Sequence, residues 1–113
     1  MKICTPVVTA LLFISLIFMA CNKKKPEANF NADIINPNVG QTVSFTDLST
    51  ESPDSWVWVF DPSLIDYQEG TSARSKNPRV SFREAGFYSV TLTVSNDKGY
   101  DTKSEADYIN VSE

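Results

Sequence analysis

An all-β sandwich of about seven short strands is the fold that this 113-residue sequence predicts. Three observations carry the prediction. Past Pro26, apolar and polar residues alternate with a period of two, and no helical period appears. Clusters of Asn, Asp, Ser, Pro and Gly interrupt that alternation at close spacing. Hydrophobic residues make up 42% of the chain, enough for a folded core, and the length allows one domain at most.

Each element has its own warrant. Phe30 and Ala32 share one face of a first strand, and Asn36-Pro37-Asn38-Val39-Gly40 is a turn. Val43 and Phe45 share a face of the second strand, with Thr42, Ser44 and Thr46 opposite. Residues 47–55 are rich in Asp, Ser, Thr and Pro, whose side chains bond their own backbone in turns. Trp56, Trp58 and Phe60 alternate with Val57 and Val59, and large apolar residues on both faces predict a central strand. A long connection follows from Leu64 to Asn77, with a short edge strand near Ile65-Asp66-Tyr67. Val80 and Phe82 mark a brief strand, and Ala85-Gly86 turns the chain.

The clearest strand runs from Phe87 to Val94, with Tyr88, Val90, Leu92 and Val94 on one face and Ser89, Thr91, Thr93 and Ser95 on the other. Asn96-Asp97-Lys98-Gly99 is a hairpin turn. The last strand ends near Val111, with Ile109 and Val111 inward. The strand count and spacing match an immunoglobulin-type sandwich. The expected core is Phe30, Val43, Phe45, Trp56, Trp58, Phe60, Val80, Phe82, Tyr88, Val90, Leu92, Val94, Ile109 and Val111, centred on Trp58.

Composition excludes several functions. The chain has no histidine, so it carries neither a Ser–His–Asp nor a Cys–His catalytic set, nor a His-containing zinc site. Its formal charge of −4 argues against a nucleic-acid partner, which needs a basic stripe.

The N-terminus reads as an address. Lys2 supplies a positive end, and Val7–Ala20 is apolar apart from Thr9 and Ser15. That run is shorter than the roughly 20 residues needed to span a bilayer and suits a signal peptide. Ile17-Phe18-Met19-Ala20-Cys21 resembles a bacterial lipobox, with small Ala20 before the Cys and Phe18 where Leu is usual. The resemblance implies removal of residues 1–20, lipid on Cys21 and attachment to the membrane, with residues 21–27 as lipidated Cys and tether and 28–111 as the domain. Cys4 then leaves with the signal peptide, so no disulfide with Cys21 is expected. Lys23, Lys24 and Lys25 are expected to start a solvated, extended linker. The expected location is the cell envelope at the outer membrane, with the leaflet open. Residues 28–113 carry 6 basic and 13 acidic side chains, so an acidic domain follows a basic stub.

Val43-Ser44-Phe45-Thr46-Asp47-Leu48-Ser49, Trp56-Val57-Trp58-Val59-Phe60-Asp61, Asn77-Pro78 with Phe82, and the run Gly86 to Asn96 together resemble a PKD (polycystic kidney disease) domain. Gly99 and the ending Tyr108-Ile109-Asn110-Val111 fit as well. The family's Trp-Asp-Phe-Gly-Asp-Gly signature is altered: Val59 stands for the first Asp, and Asp61-Pro62-Ser63 stands for Gly-Asp-Gly. A longer and differently shaped loop is therefore expected after that strand. The resemblance implies a non-catalytic extracytoplasmic module that spaces, binds an envelope protein, or assists in polysaccharide binding.

Three candidate sites follow. Val57, Val59 and Phe87 point away from the core and form an apolar partner patch if their strands are neighbours, unless the segment from Leu64 to Lys76 folds over them. Tyr67 and Tyr100, read as exposed, are candidates for stacking on a sugar. Asp61 and Asp66 sit at one place, Asp97 and Asp101 at another, and Asp33 on the first strand. The resemblance implies calcium in some relatives, but no spaced calcium motif is present, so the expectation is no metal and no cofactor, with calcium as the alternative. A catalytic carboxylate pair is not expected in a domain too small for a substrate cleft.

Overall fold

The computed structural model describes residues 23–113; the expected signal peptide 1–20, with Cys4, and the expected lipidation position Cys21 lie outside the described residues. Seven strands follow in order: β1 (Phe30–Ala32), β2 (Val43–Asp47), β3 (Ser55–Asp61), β4 (Ile65–Tyr67), β5 (Arg79–Phe82), β6 (Gly86–Asn96) and β7 (Gly99–Val111). They form a four-stranded sheet in the order β1-β2-β5-β4 and a three-stranded sheet in the order β3-β6-β7. All pairings are antiparallel. This is the strand arrangement of an immunoglobulin constant-type sandwich.

The core lies between the sheets. Thirteen of the residues expected inside are buried there, and Trp56 is half-buried at the margin. Trp58, on β3, is 2% exposed and packs edge-on to Phe30 at 5.3 Å and tilted against Phe45 at 5.6 Å between ring centroids. Edge-to-face contacts continue from Phe45 to Phe60, from Phe60 to Phe82 and from Phe82 to Tyr88. Such pairs add to the area they bury because ring edges are positive and ring faces negative. The Tyr88 hydroxyl donates to the Glu84 carbonyl at 2.8 Å, tying the start of β6 to the preceding turn. That bond has the form of the tyrosine corner of immunoglobulin sandwiches.

β3 is an edge strand, not the central one expected. Apolar residues on both faces reflect two separate causes. Trp58 and Phe60 fill the core, whereas Val57 and Val59 favour extended backbone on the outer face, where Val59 is 53% exposed. The free edge of β3 is satisfied by the connection between β4 and β5. The Trp58 amide donates to the Ala73 carbonyl and its Nε1 to the Ser75 carbonyl, both at 2.8 Å. The connection thus covers the edge of the sheet and leaves Val59 on its open face.

The loop after β3, expected to be longer, is only three residues, Pro62 to Leu64. Leu64, Ile65 and Tyr67 pack on the core, and that burial draws the chain back at once into β4.

Residues 23–27, expected as a solvated linker, run against the domain. Pro26 is fully buried. Glu27 bridges to Thr50, whose amide donates to the Glu27 carbonyl at 3.1 Å. Asn96 Nδ2 donates to the Lys24 carbonyl at 2.8 Å and to the Glu51 carbonyl at 2.9 Å. A proline whose ring is buried and backbone carbonyls with fixed donors do not describe a free tether.

Candidate interaction site

The outer face of the β3-β6-β7 sheet is built by register. Val57 lies opposite Thr93, which lies opposite Thr102; Val59 lies opposite Thr91, which lies opposite Ser104. The hydroxyls of Thr91 and Ser104 bond at 2.8 Å, and those of Thr93 and Thr102 at 2.9 Å. Pairing these hydroxyls to each other leaves the methyl groups of the three threonines and the two valines as the contact surface. Val57 is half-buried and Val59 exposed. The β4–β5 connection leaves Val59 exposed, and it sits with half-buried Val57 on a weakly polar sheet face.

Phe87 is 58% exposed at the start of β6, opposite Asn110. It lies beyond the row that joins Asp61 to Ser89, so polar side chains separate it from Val57 and Val59. The three residues share a face without forming one continuous patch. Tyr100 is 68% exposed at the other end of that face, opposite Ser95.

Tyr67 is not an exposed stacking platform. Its ring turns to the core and meets Phe60 edge-on at 6.3 Å, and burial pushes its phenol above the ordinary value of 10.0. It lies on β4 of the other sheet, so it shares no surface with Tyr100. Alternation across only three residues of β4 leaves no signal for which side of the strand faces in; packing on Phe60 settles it.

Four of the five candidate aspartates are spent on separate partners. Asp66 takes a bidentate grip from Arg83, with nitrogen–oxygen distances of 3.0–3.2 Å, and that contact raises the Arg83 guanidinium pKa. Asp101 accepts from the Ala28 amide at 2.7 Å and pairs with Lys25, while Asp97 pairs with Lys23. Asp33 accepts from the Ser44 amide at 2.9 Å. Among the described residues no group of three or more carboxylates or other ligating side chains converges to hold a metal ion.

One feature escapes sequence reasoning. At the end of the sandwich where β2 leads to β3, a hollow of about 620 Å³ is lined by Asp47, Ser49, Pro53, Asp54, Trp56 and Lys76. The Lys76 ammonium lies 6.0 Å from the Trp56 ring centroid, and Trp56 Nε1 is buried with no hydrogen-bond partner. Trp56 and Trp58 look alike in the sequence, both on the inward side of one strand. Their different fates depend on the β4–β5 connection, which gives Trp58 an acceptor at Ser75 and only Lys76 to Trp56.

The two sheets, the buried Trp on β3 and the hydroxyl-to-backbone bond of Tyr88 define an immunoglobulin-like sandwich. Within that class, the chain belongs to the PKD domain family, whose model matches residues 23–111. It is similar to the PKD1 domain of the Vibrio cholerae metalloprotease PrtV, with 30% identity over 78% of this chain and 98% of that one and a TM-score of 0.56. It is also similar to the PKD1 domain of Vibrio anguillarum Epp, with 28% identity over 80% and 99% of the two chains and a TM-score of 0.55. A solution structure of a Methanosarcina mazei protein matches with 25% identity over 91% of this chain and 61% of the other, at a TM-score of 0.52. PKD domains are commonly extracellular or protein-interaction modules and are typically non-catalytic.

Proposed function

We propose that this protein is a lipid-anchored envelope module that makes protein contacts and performs no chemistry of its own. The observation behind the contact role is the open outer face of the β3-β6-β7 sheet, where Val59 stands 53% exposed beside self-paired hydroxyls. A flat face whose polar groups are already satisfied loses little on desolvation, which suits a protein partner. The anchor is Cys21, placed by the lipobox-like run before it, and two or more acyl chains there give stable attachment. The proposed location is the outer membrane. A polysaccharide partner has less behind it, because Tyr67 turns to the core and the stacking pair reduces to Tyr100.

A photocrosslinking amino acid at Val59 in cells tests the contact role. A discrete adduct is expected from Val59 and not from Thr46, on the exposed outer side of the other sheet. The adduct is expected to vanish when Val57 becomes Lys, with unchanged thermal unfolding. No adduct at Val59, or equal adducts at both positions, overturns the assignment. Palmitate labelling that disappears in Cys21→Ser is the expected result for the anchor.

A further inference from the structure

We infer that residues 23–27 act as a rigid staple, which seats the β6–β7 turn of the domain against the lipid surface and points the Phe87 end away from it. This rests on lipid attachment at Cys21, as proposed above. A free linker from 21 to 27 would let the domain drift by about 15 Å and rotate at will. The staple removes that freedom: Pro26 is buried, Lys24 and Glu27 have their carbonyls bonded to Asn96 and Thr50, and the Ala28 amide is held by Asp101. From Lys23 back to Cys21 the chain can reach no more than about 7 Å.

The direction of the domain follows from β6. Lys23 pairs with Asp97 in the turn that ends β6, and Lys25 pairs with Asp101 just beyond it. Gly86 begins the same strand, and eleven extended residues separate the two ends by about 33 Å. The lipid is therefore attached at one end of a long strand, with the turn before β6 at the other.

Charge agrees with this seating. The domain is acidic, with 13 acidic against 6 basic side chains over residues 28–113, and anionic head groups would repel it. At the stapled end, Lys23 and Lys25 neutralise Asp97 and Asp101, and Lys24 and Lys98 are exposed beside them. Even a single bulky change in the turn would disturb the fit, because a Cβ on Gly99 would lie 3.2 Å from Lys25 Cβ at a φ of +147°.

Spin labels on the full-length protein test the seating. Lys98→Cys and Ala85→Cys are each labelled with a nitroxide and placed in vesicles that carry a nickel-chelating head-group lipid. Relaxation by the nickel lipid is expected to be several-fold stronger at 98 than at 85. Inserting ten Gly-Ser residues between Asn22 and Lys23 is expected to abolish that contrast. Equal relaxation at the two positions overturns the seating, as does a contrast that survives the insertion, since the short reach would then not be its cause. Intact mass of the same samples separates the two readings. Lipid mass on the protein with equal relaxation overturns the seating alone, and its absence overturns the anchor together with the seating.

Discussion

Where β3 faces β4, the gap between the sheets is filled by rings: Phe60 meets Tyr67, and Trp58 sends both of its N–H groups to the backbone of residues 73 and 75. Where β1 faces β7, one ring pair, Phe30 edge-on to Tyr108 at 5.6 Å, is flanked by polar groups. The β7 positions opposite Val94, Leu92 and Val90 are Asp101, Lys103 and Glu105. Asp101 holds the Ala28 amide, and Lys103 donates to Asn29 Oδ1 at 2.9 Å while lying 6.0 Å from the Phe30 ring centroid. The first side is closed by the domain's own middle. The second is closed by the segment that leads into β1. The rings of the first side are inseparable from folding, whereas the polar contacts of residues 24–29 on the second can be loosened without unfolding the core.

Trp58→Ala strikes the first side and carries the largest expected effect. It empties the core centre and removes the bond to Ser75, for a loss of about 3–5 kcal/mol. Chemical denaturation of the variant is expected to find it largely unfolded without denaturant, and a loss below about 1 kcal/mol would contradict the ring-filled account. Asn96→Ala strikes the second side. It removes the donations to Lys24 and Glu51 and the acceptor for the Lys98 amide, for about 1–3 kcal/mol in total. The domain should stay folded while amide exchange at Ala28 and Thr50 accelerates. Exchange that accelerates equally at Leu92 would show that the two sides open together. Lys23→Ala, which removes a partly exposed ion pair, should alter stability by less than about 1 kcal/mol.

A further effect sharpens the first side by pH. Burial raises the Tyr67 phenol above 10.0, so folding favours its protonated form. Its contribution is fully present below pH 10 and is lost as pH rises through the folded-state value. Tyr67→Phe keeps the packing on Phe60 and should therefore lose less stability than the parent between neutral and strongly alkaline pH. Identical alkaline profiles would place the Tyr67 hydroxyl in water.

Much of this was legible in the chain. Alternation along residues 87–94 and the turn Asn96-Asp97-Lys98-Gly99 located β6 and the hairpin, because a strand with one buried face writes its period into the sequence. The core residues were legible for the same reason. The candidate site was legible in part: register brought Val57 and Val59 together but set Phe87 beyond Asp61 and Ser89. Strand order was hidden, since Val57 and Val59 read as a second buried face when they lie on the outer face of an edge strand. Tyr67 was hidden too, on a strand of three residues with no period to read.

Local pattern by itself determined the fold class, the family resemblance, the core and the acidic balance, because burial and turn geometry act over a few residues at a time. Tertiary structure alone decided that β3 is an edge, that Trp56 and Trp58 part ways, and that residues 23–27 are stapled down. Those outcomes depend on partners 17 to 73 residues away, such as Ser75 for Trp58 and Asp101 for Ala28. A lysine run beside an acidic domain reads as solvated until the turn that supplies Asp97 and Asp101 is brought beneath it.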